Sequence, residues 1–175
     1  MKNVYECKTK SVSSLTVCVL DRPRHKAISD NLKDLEVNIK LIKDGDVLGA
    51  LYVSDARYNV DMFIGIGGGP EGVIAACALD ASHCHFQGSF IFDNKKNINE
   101  AKSMGITDLN KKYNLNEIVK GDSLFCASAI TSSEVLKGII IEGDKFLSET
   151  LVTHKNSNFK KIVKSINSIN EWFLF

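Results

Sequence analysis

The chain has 175 residues, 44% of them hydrophobic and 25% charged, with 22 Lys and Arg against 21 Asp and Glu for a formal net charge of +1. That length suits a single domain over residues 1–175, able to bury roughly two thirds of the surface its unfolded chain exposes. The near-neutral balance argues against affinity built on phosphate neutralisation, so no nucleic acid partner is expected, and against a polybasic membrane anchor. Collagen-like, disordered and disulfide-dense classes are excluded by composition. Five cysteines (Cys7, Cys18, Cys77, Cys84, Cys126) are odd in number and lack C-x-x-C spacing, as in a reduced compartment. The first apolar run, 15–20, spans six residues. It makes neither a secretory h-region nor a membrane span, and a cytoplasmic location is expected.

The chain alternates between two periodicities. Residues 15–20 (LTVCVL) are apolar throughout, as a strand buried on both faces should be. A helix follows with Ile28, Leu32 and Leu35 on one face. Residues 37–42 predict a second strand, followed by a helix carrying Val47, Leu48 and Leu51. Residues 60–66 predict a third strand, leading into a helix over 71–79. A fourth strand is expected at 90–92 and a short helix at 98–104. Strands and helices alternating at this spacing imply parallel pairing with right-handed crossovers. Further on, 124–130 reads as a strand, and 146–154 with 159–166 as an antiparallel hairpin across the polar turn Lys155-Asn156-Ser157-Asn158. The expected class is α/β: a mixed, mostly parallel sheet with helices on both faces and a C-terminal antiparallel hairpin.

Each of the first three strands runs into a dense polar or glycine-rich motif: Asp21-Arg22-Pro23-Arg24-His25, then Asp44-Gly45-Asp46, then Gly65-Ile66-Gly67-Gly68-Gly69-Pro70-Glu71-Gly72. Ligands of open α/β sheets bind outside the carboxyl ends of the strands, and parallel strands bring these loops to one edge. Arg22 and Arg24 flank a proline that holds Arg22 extended, and two guanidinium forks on a stiff turn suit a phosphate. Taken alone they also read as a solvated turn. Asp44 and Asp46 suit sugar hydroxyls or a metal, although Asp-Gly is ordinary turn chemistry and Asp46 a good helix cap. In the third motif, glycines let a ligand approach the backbone, and Pro70 suits the first turn of a helix whose N–H groups attract anions. Glu71 gains from the helix dipole but repels a phosphate unless a cation lies between them. A metal bridging carboxylate and phosphate resolves that conflict.

The same run also fits G-x-G-x-x-G over Gly67 to Gly72, with Asp93 at the distance of a ribose-binding acid, so a dinucleotide-binding oxidoreductase is an alternative. An acidic residue inside the pyrophosphate loop weighs against it. His83-Cys84-His85 are too close together for one tetrahedral site and read as a loop. No Ser/His/Asp arrangement has local context for nucleophilic catalysis. Lys155, Lys160, Lys161 and Lys164 read as the solvent face of the hairpin. The apolar end Trp172-Phe173-Leu174-Phe175 is expected to dock onto the body or a neighbour.

Taken together, LTVCVLDRPRH, IKLIKDGDV, DMFIGIGGGPEGVIAA, AKSMGI, KGDSLFCASAIT and VLKG resemble the C-terminal half of the class II fructose-1,6-bisphosphatase family of the bacterial glycerol regulon. Its members often also act on sedoheptulose-1,7-bisphosphate. The resemblance implies a layered sugar-phosphatase fold and a Mn²⁺- or Mg²⁺-dependent hydrolase of gluconeogenesis. By position, Arg22, Pro23, Arg24, Asp44, Gly45, Asp46 and Gly68 fall on substrate-binding segments, and Glu71 on a metal ligand. Ala129 stands where the family usually has glycine. The half that carries most acidic metal ligands, with its Asp-Pro-x-Asp-Gly type motif, has no counterpart here. The expected role is therefore the substrate-binding half of a fructose-1,6-bisphosphate 1-phosphatase, inactive alone, with the missing half or a homo-oligomer as partner. The alternative within this frame is a non-catalytic sugar-phosphate binding module.

Overall fold

The structure is a computed structural model that describes residues 11–169. Strands β1 (Thr16–Leu20), β2 (Asn38–Ile42) and β3 (Met62–Phe63) form a parallel sheet in the order β2-β1-β3. Helices α1 (Lys26–Asp34), α2 (Asp46–Val53) and α3 (Gly69–Asp80) follow them in turn. The central strand needs apolar side chains on both faces because helices cover both. Val17 and Val19 pack with Leu32 of α1, while Cys18, between them, packs with Tyr52 of α2. Burial pushes the Cys18 thiol up to about 11, against the opposing charge of Lys40, so it behaves as a core residue rather than a nucleophile.

Two expectations shift in detail. Leu35 is 46% exposed because α1 ends at Asp34 and the chain turns through Glu36 at φ 55°. The third strand is short because glycine chemistry begins at Gly65, and its entry is pinned by Asp61. That residue's carboxylate accepts from the Thr16 amide at 2.9 Å, and its own amide donates to Thr16 at 2.9 Å.

The fourth strand differs more. β4 is Gln87–Ser89, and it pairs antiparallel with β5 (Lys112–Asn114) in a separate two-stranded sheet. Phe90 leaves the ladder to meet Phe92 at 6.1 Å and Tyr113 at 5.6 Å, a local aromatic cluster in place of sheet pairing. Between them lie α4 (Lys95–Ser103), capped by the Asn94 side chain on the Asn97 amide at 3.0 Å, and, after β5, the short α5 (Leu115–Ile118).

A second, antiparallel sheet holds β6 (Leu124–Ser128), β7 (Ile140–Glu142), β8 (Lys145–His154) and β9 (Phe159–Ser168). β8 is central, with β9 on one side and β6 and β7 sharing the other. Leu151 of β8 packs with Phe125, Leu51 of α2 and Ala78 of α3. The layers therefore run α1, parallel sheet, α2 with α3, antiparallel sheet, so parallel and antiparallel pairing occupy separate sheets of one layered α/β fold. The expected apolar end, Trp172 to Phe175, lies outside the described residues.

The last two layers are fastened by a charged pair rather than by apolar contact alone. Asp80, at the end of α3, accepts from Ser123 Oγ at 2.6 Å and from Lys155 Nζ at 2.7 Å. Burial alone would raise its pKa, but these bonds and the charge of Lys155 outweigh it and hold the carboxyl below its ordinary value. Lys160 likewise donates to the Ser54 carbonyl at 3.0 Å and Lys164 lies 3.5 Å from Glu149. The hairpin lysines are thus mostly engaged, and Lys161 is exposed.

Breaking the Asp80 pair leaves a desolvated charge behind. Asp80→Asn is expected to cost about 3 kcal/mol, the lower end for a buried pair because Lys155 keeps 37% of its side chain in solvent. Since the folded carboxyl sits below its unfolded value near 4, the stabilisation is complete above that pH and disappears as the pH falls through the folded value. Urea melts between pH 2 and pH 7 should show a flatter acid limb for the variant.

Candidate functional site

The three loops predicted to converge do converge. After β1, Arg22 is extended (φ −134°, ψ 145°) and Pro23 opens a one-turn 3₁₀ helix, Pro23–His25. This geometry turns His25 inward, where it is 1% exposed. Its Nδ1–H donates to the Leu20 carbonyl at 3.0 Å, and its Nε2 accepts from the Ile66 amide at 2.8 Å, which fixes the tautomer. Arg24 Nε donates to the Ile66 carbonyl at 2.6 Å. The first loop thus holds both backbone polar groups of Ile66, the residue between the first two glycines of the glycine-rich loop.

The second loop enters α2 through Gly45 at φ 97°, a conformation that disfavours side chains. Asp46 then begins the helix and lays its carboxylate over the glycine loop. A Cβ at Gly67 would lie 3.5 Å from Asp46 Oδ1, and one at Gly65 3.7 Å away. In the third loop Gly68 precedes the first turn of α3, and a Cβ there would stand 2.3 Å from Glu71 Oε2. Glycine at 68 is what lets the glutamate fold back over the loop.

Arg24, Asp46, Ile66, Gly67, Gly68 and Glu71 line an open cleft of about 410 Å³ at this edge. Arg24, Asp46, Gly68 and Glu71 were all expected there. Arg22 forms an ion pair with Asp44, and neither lines the cleft. Pro23 and Gly45 shape the two loops from behind. Among the described residues, Arg24 makes no ion pair, and neither do Asp46 and Glu71. The cleft therefore presents the terminal amino groups of one guanidinium, two carboxylates and the amide-rich start of a twelve-residue helix.

By their chemistry these groups suit an anion at the guanidinium and helix start, and hydroxyls or a cation at the carboxylates. As a metal site they are incomplete. A hard cation such as Mg²⁺ takes about six oxygens, and no group of three or more His, Cys, Asp or Glu suited to a metal occurs among the described residues.

The competing motifs separate from this edge. Asp93 is exposed after β4, outside the parallel sheet, so the ribose acid of a dinucleotide site is not supplied. His83 ends a turn at φ 55°, and the Cys84 thiol after it donates to the Ser82 carbonyl at 3.5 Å. Two features escaped sequence reasoning. The positioning role of His25 depends on a contact 41 residues away, although its place beside Arg24 was a clue. The other is Asp122, His154 and Ser157, which are joined by bonds of 2.6 and 2.7 Å. Asp122 also accepts from the Asn156 amide at 3.2 Å. Desolvation opposes it, yet His154 and Asn156 keep its carboxyl below the ordinary value. The trio lies outside that cleft and fastens the β8–β9 turn.

The family model described as bacterial fructose-1,6-bisphosphatase, glpX-encoded, matches residues 1–168. Curated relatives named D-fructose 1,6-bisphosphatase class 2/sedoheptulose 1,7-bisphosphatase include the protein of Trichodesmium erythraeum (strain IMS101), 33% identical over 98% of this chain and 53% of its own length. Those of Synechococcus elongatus and Nostoc sp. are 32% and 33% identical over 98% and 95% of this chain, and 53% and 52% of theirs. The chain spans about half the length of the curated relatives it matches. With the conjoined arginine, Asp-Gly-Asp and glycine–glutamate loops at one sheet edge, the family match over nearly the whole sequence makes this chain a member of the class II, glpX-type fructose-1,6-bisphosphatase family.

Proposed function

We propose that this chain is the substrate-binding half of a metal-dependent sugar-bisphosphate phosphatase, acting on fructose-1,6-bisphosphate or sedoheptulose-1,7-bisphosphate. The observation that carries the reading is the cleft in which Arg24, Asp46 and Glu71 meet around the glycine loop. Arg24 and the amides at the start of α3 take a phosphate, and Asp46 accepts from sugar hydroxyls. Asp44, Gly45 and the Arg22–Pro23 turn keep those groups in register. His25 is a positioning residue, because it fixes the backbone of Ile66 without reaching the cleft floor.

Glu71 is one oxygen ligand for Mn²⁺ or Mg²⁺, and the remaining ligands come from outside the described residues. No hydrolytic step is assigned to the residues of this chain by themselves. The incomplete ligand set also supports a second reading, a binding module without catalysis. The two part company when the unmatched half of a relative is added: a phosphatase half gains turnover, and a module does not.

Three outcomes are expected. Purified alone with Mn²⁺, the chain releases no phosphate from fructose-1,6-bisphosphate above background in a malachite-green assay, and rapid release would refute the half-site reading. Arg24→Ala weakens sugar-phosphate binding by roughly 10- to 100-fold, since a charge-assisted bond contributes about 1.5–3 kcal/mol. Calorimetric titration reads this directly. His25→Ala removes two buried backbone bonds and lowers stability by about 2–3 kcal/mol. Its signature beyond that loss is faster hydrogen exchange at the Ile66 amide than at strand β8.

A further inference from the structure

A second cleft opens at the far end of α2 and shares no lining residue with the first. Its volume is about 640 Å³, within the roughly 300–1,000 Å³ typical of small-molecule sites. The floor is apolar, made by Leu51 from the last turn of α2, Val135, Leu151 of β8 and Ile162 of β9. Tyr58, in the 3₁₀ turn Ala56–Tyr58, forms a wall. Tyr52 holds it from behind, with ring centroids 4.9 Å apart, and the Tyr58 hydroxyl donates to the Glu134 carbonyl at 3.4 Å.

The rim sets three cations, Arg57, Lys160 and Lys161, against one carboxylate, Asp55. Arg57 Nε and Nη2 donate to Asp55 at 3.0 and 2.7 Å, and Lys160 Nζ lies 3.9 Å from the same group. The Arg57 hydrogen bonds, working against partial desolvation, hold the Asp55 carboxyl down to about 2. Lys160 also donates to the Ser54 carbonyl at 3.0 Å, as suits a cation beyond the C-terminal end of a helix. Those bonds leave positive charge over. Arg57 keeps 73% of its side chain in solvent, with Nη1 outside the Asp55 pair. Lys161 is exposed and makes no side-chain bond among the described residues.

We infer that this cleft is a binding site for an amphipathic anion, a negatively charged group carried on an apolar or aromatic body. The charged end meets Arg57 and Lys161, and the body lies on Leu51, Leu151 and Ile162 beside Tyr58. Asp55 orients the guanidinium in advance, which lowers the entropy lost when its remaining donors are engaged. A wholly polar anion such as a sugar bisphosphate has nothing to lay on the floor, so the two clefts take different chemistry.

The test uses the chain by itself with two fluorescent probes of similar shape, the anion 8-anilinonaphthalene-1-sulfonate and the uncharged N-phenyl-1-naphthylamine. Amide-resolved NMR locates the binding. Expected is saturable binding of the sulfonate at a single site, with shifts concentrated at residues 51–58 and 160–162. Ala56→Trp, at an exposed position of the rim, should fill the cleft and weaken both probes without lowering the melting temperature. Arg57→Gln with Lys161→Gln should weaken the sulfonate by roughly tenfold or more, since charge-assisted bonds are lost. The uncharged probe should bind that double variant as before, which also shows that the cleft stays formed. Lys112→Ala, which removes one exposed cation of β5, should leave both probes unaffected. Millimolar fructose-1,6-bisphosphate should not displace the sulfonate. The inference is overturned by non-saturable binding, by shifts centred outside the two segments, or by insensitivity to Ala56→Trp. Equal loss of both probes in the double variant, loss of the sulfonate with Lys112→Ala, or displacement by the sugar bisphosphate overturns it too.

Discussion

A loop of four glycines in five positions has no intrinsic shape, and the cleft exists only because something else gives it one. That constraint is the grip on Ile66: His25 accepts from its amide at 2.8 Å and Arg24 donates to its carbonyl at 2.6 Å. Glycine confers close approach at an entropic cost, and two hydrogen bonds to the one non-glycine residue of the run offset it. The residue that shapes the loop is thereby adjacent in sequence to Arg24, which lines the cleft. The buried histidine is in turn anchored to Leu20, the last residue of the central strand. Cleft geometry is thus referred directly to the most rigid part of the core.

The charges follow a similar logic of commitment and reserve. Arg22 is engaged by Asp44 while Arg24 keeps its terminal amino groups uncommitted, so two arginines separated by one proline do different work. Asp46 and Glu71 approach the glycine loop from opposite helix starts, and both gain from the dipoles of α2 and α3 when no cation is present. The arrangement holds acidic groups ready without destabilising the isolated fold. Across the molecule, Asp80 with Lys155 and Ser123 plays a structural counterpart, closing the helix layer onto the antiparallel sheet.

Much of this was legible in the residues. The run LTVCVL announced a doubly covered strand, and its alternation does divide between α1 and α2. The three loops were readable because parallel strands oblige them to share an edge. What could not be read was side-chain pairing at a distance. The ion pair of Arg22 joins it to Asp44, 22 residues on, which no local motif announces. Phe90 and Phe92 have strand-like composition, but Tyr113 offers them an aromatic cluster instead of a ladder. The trio at the β8–β9 turn depends on Asp122, 32 residues from His154. Periodicity reports burial and says little about which polar groups meet.

The chain belongs to a bisphosphatase family and spans about half the length of the curated relatives it matches. The most direct measurement is an amide-resolved NMR titration of the chain with fructose-1,6-bisphosphate in the absence of metal. The account predicts saturable shifts concentrated at Arg24, Asp46 and Ile66 through Glu71. Shifts confined to the β8–β9 turn, or no saturable response at millimolar ligand, would contradict it.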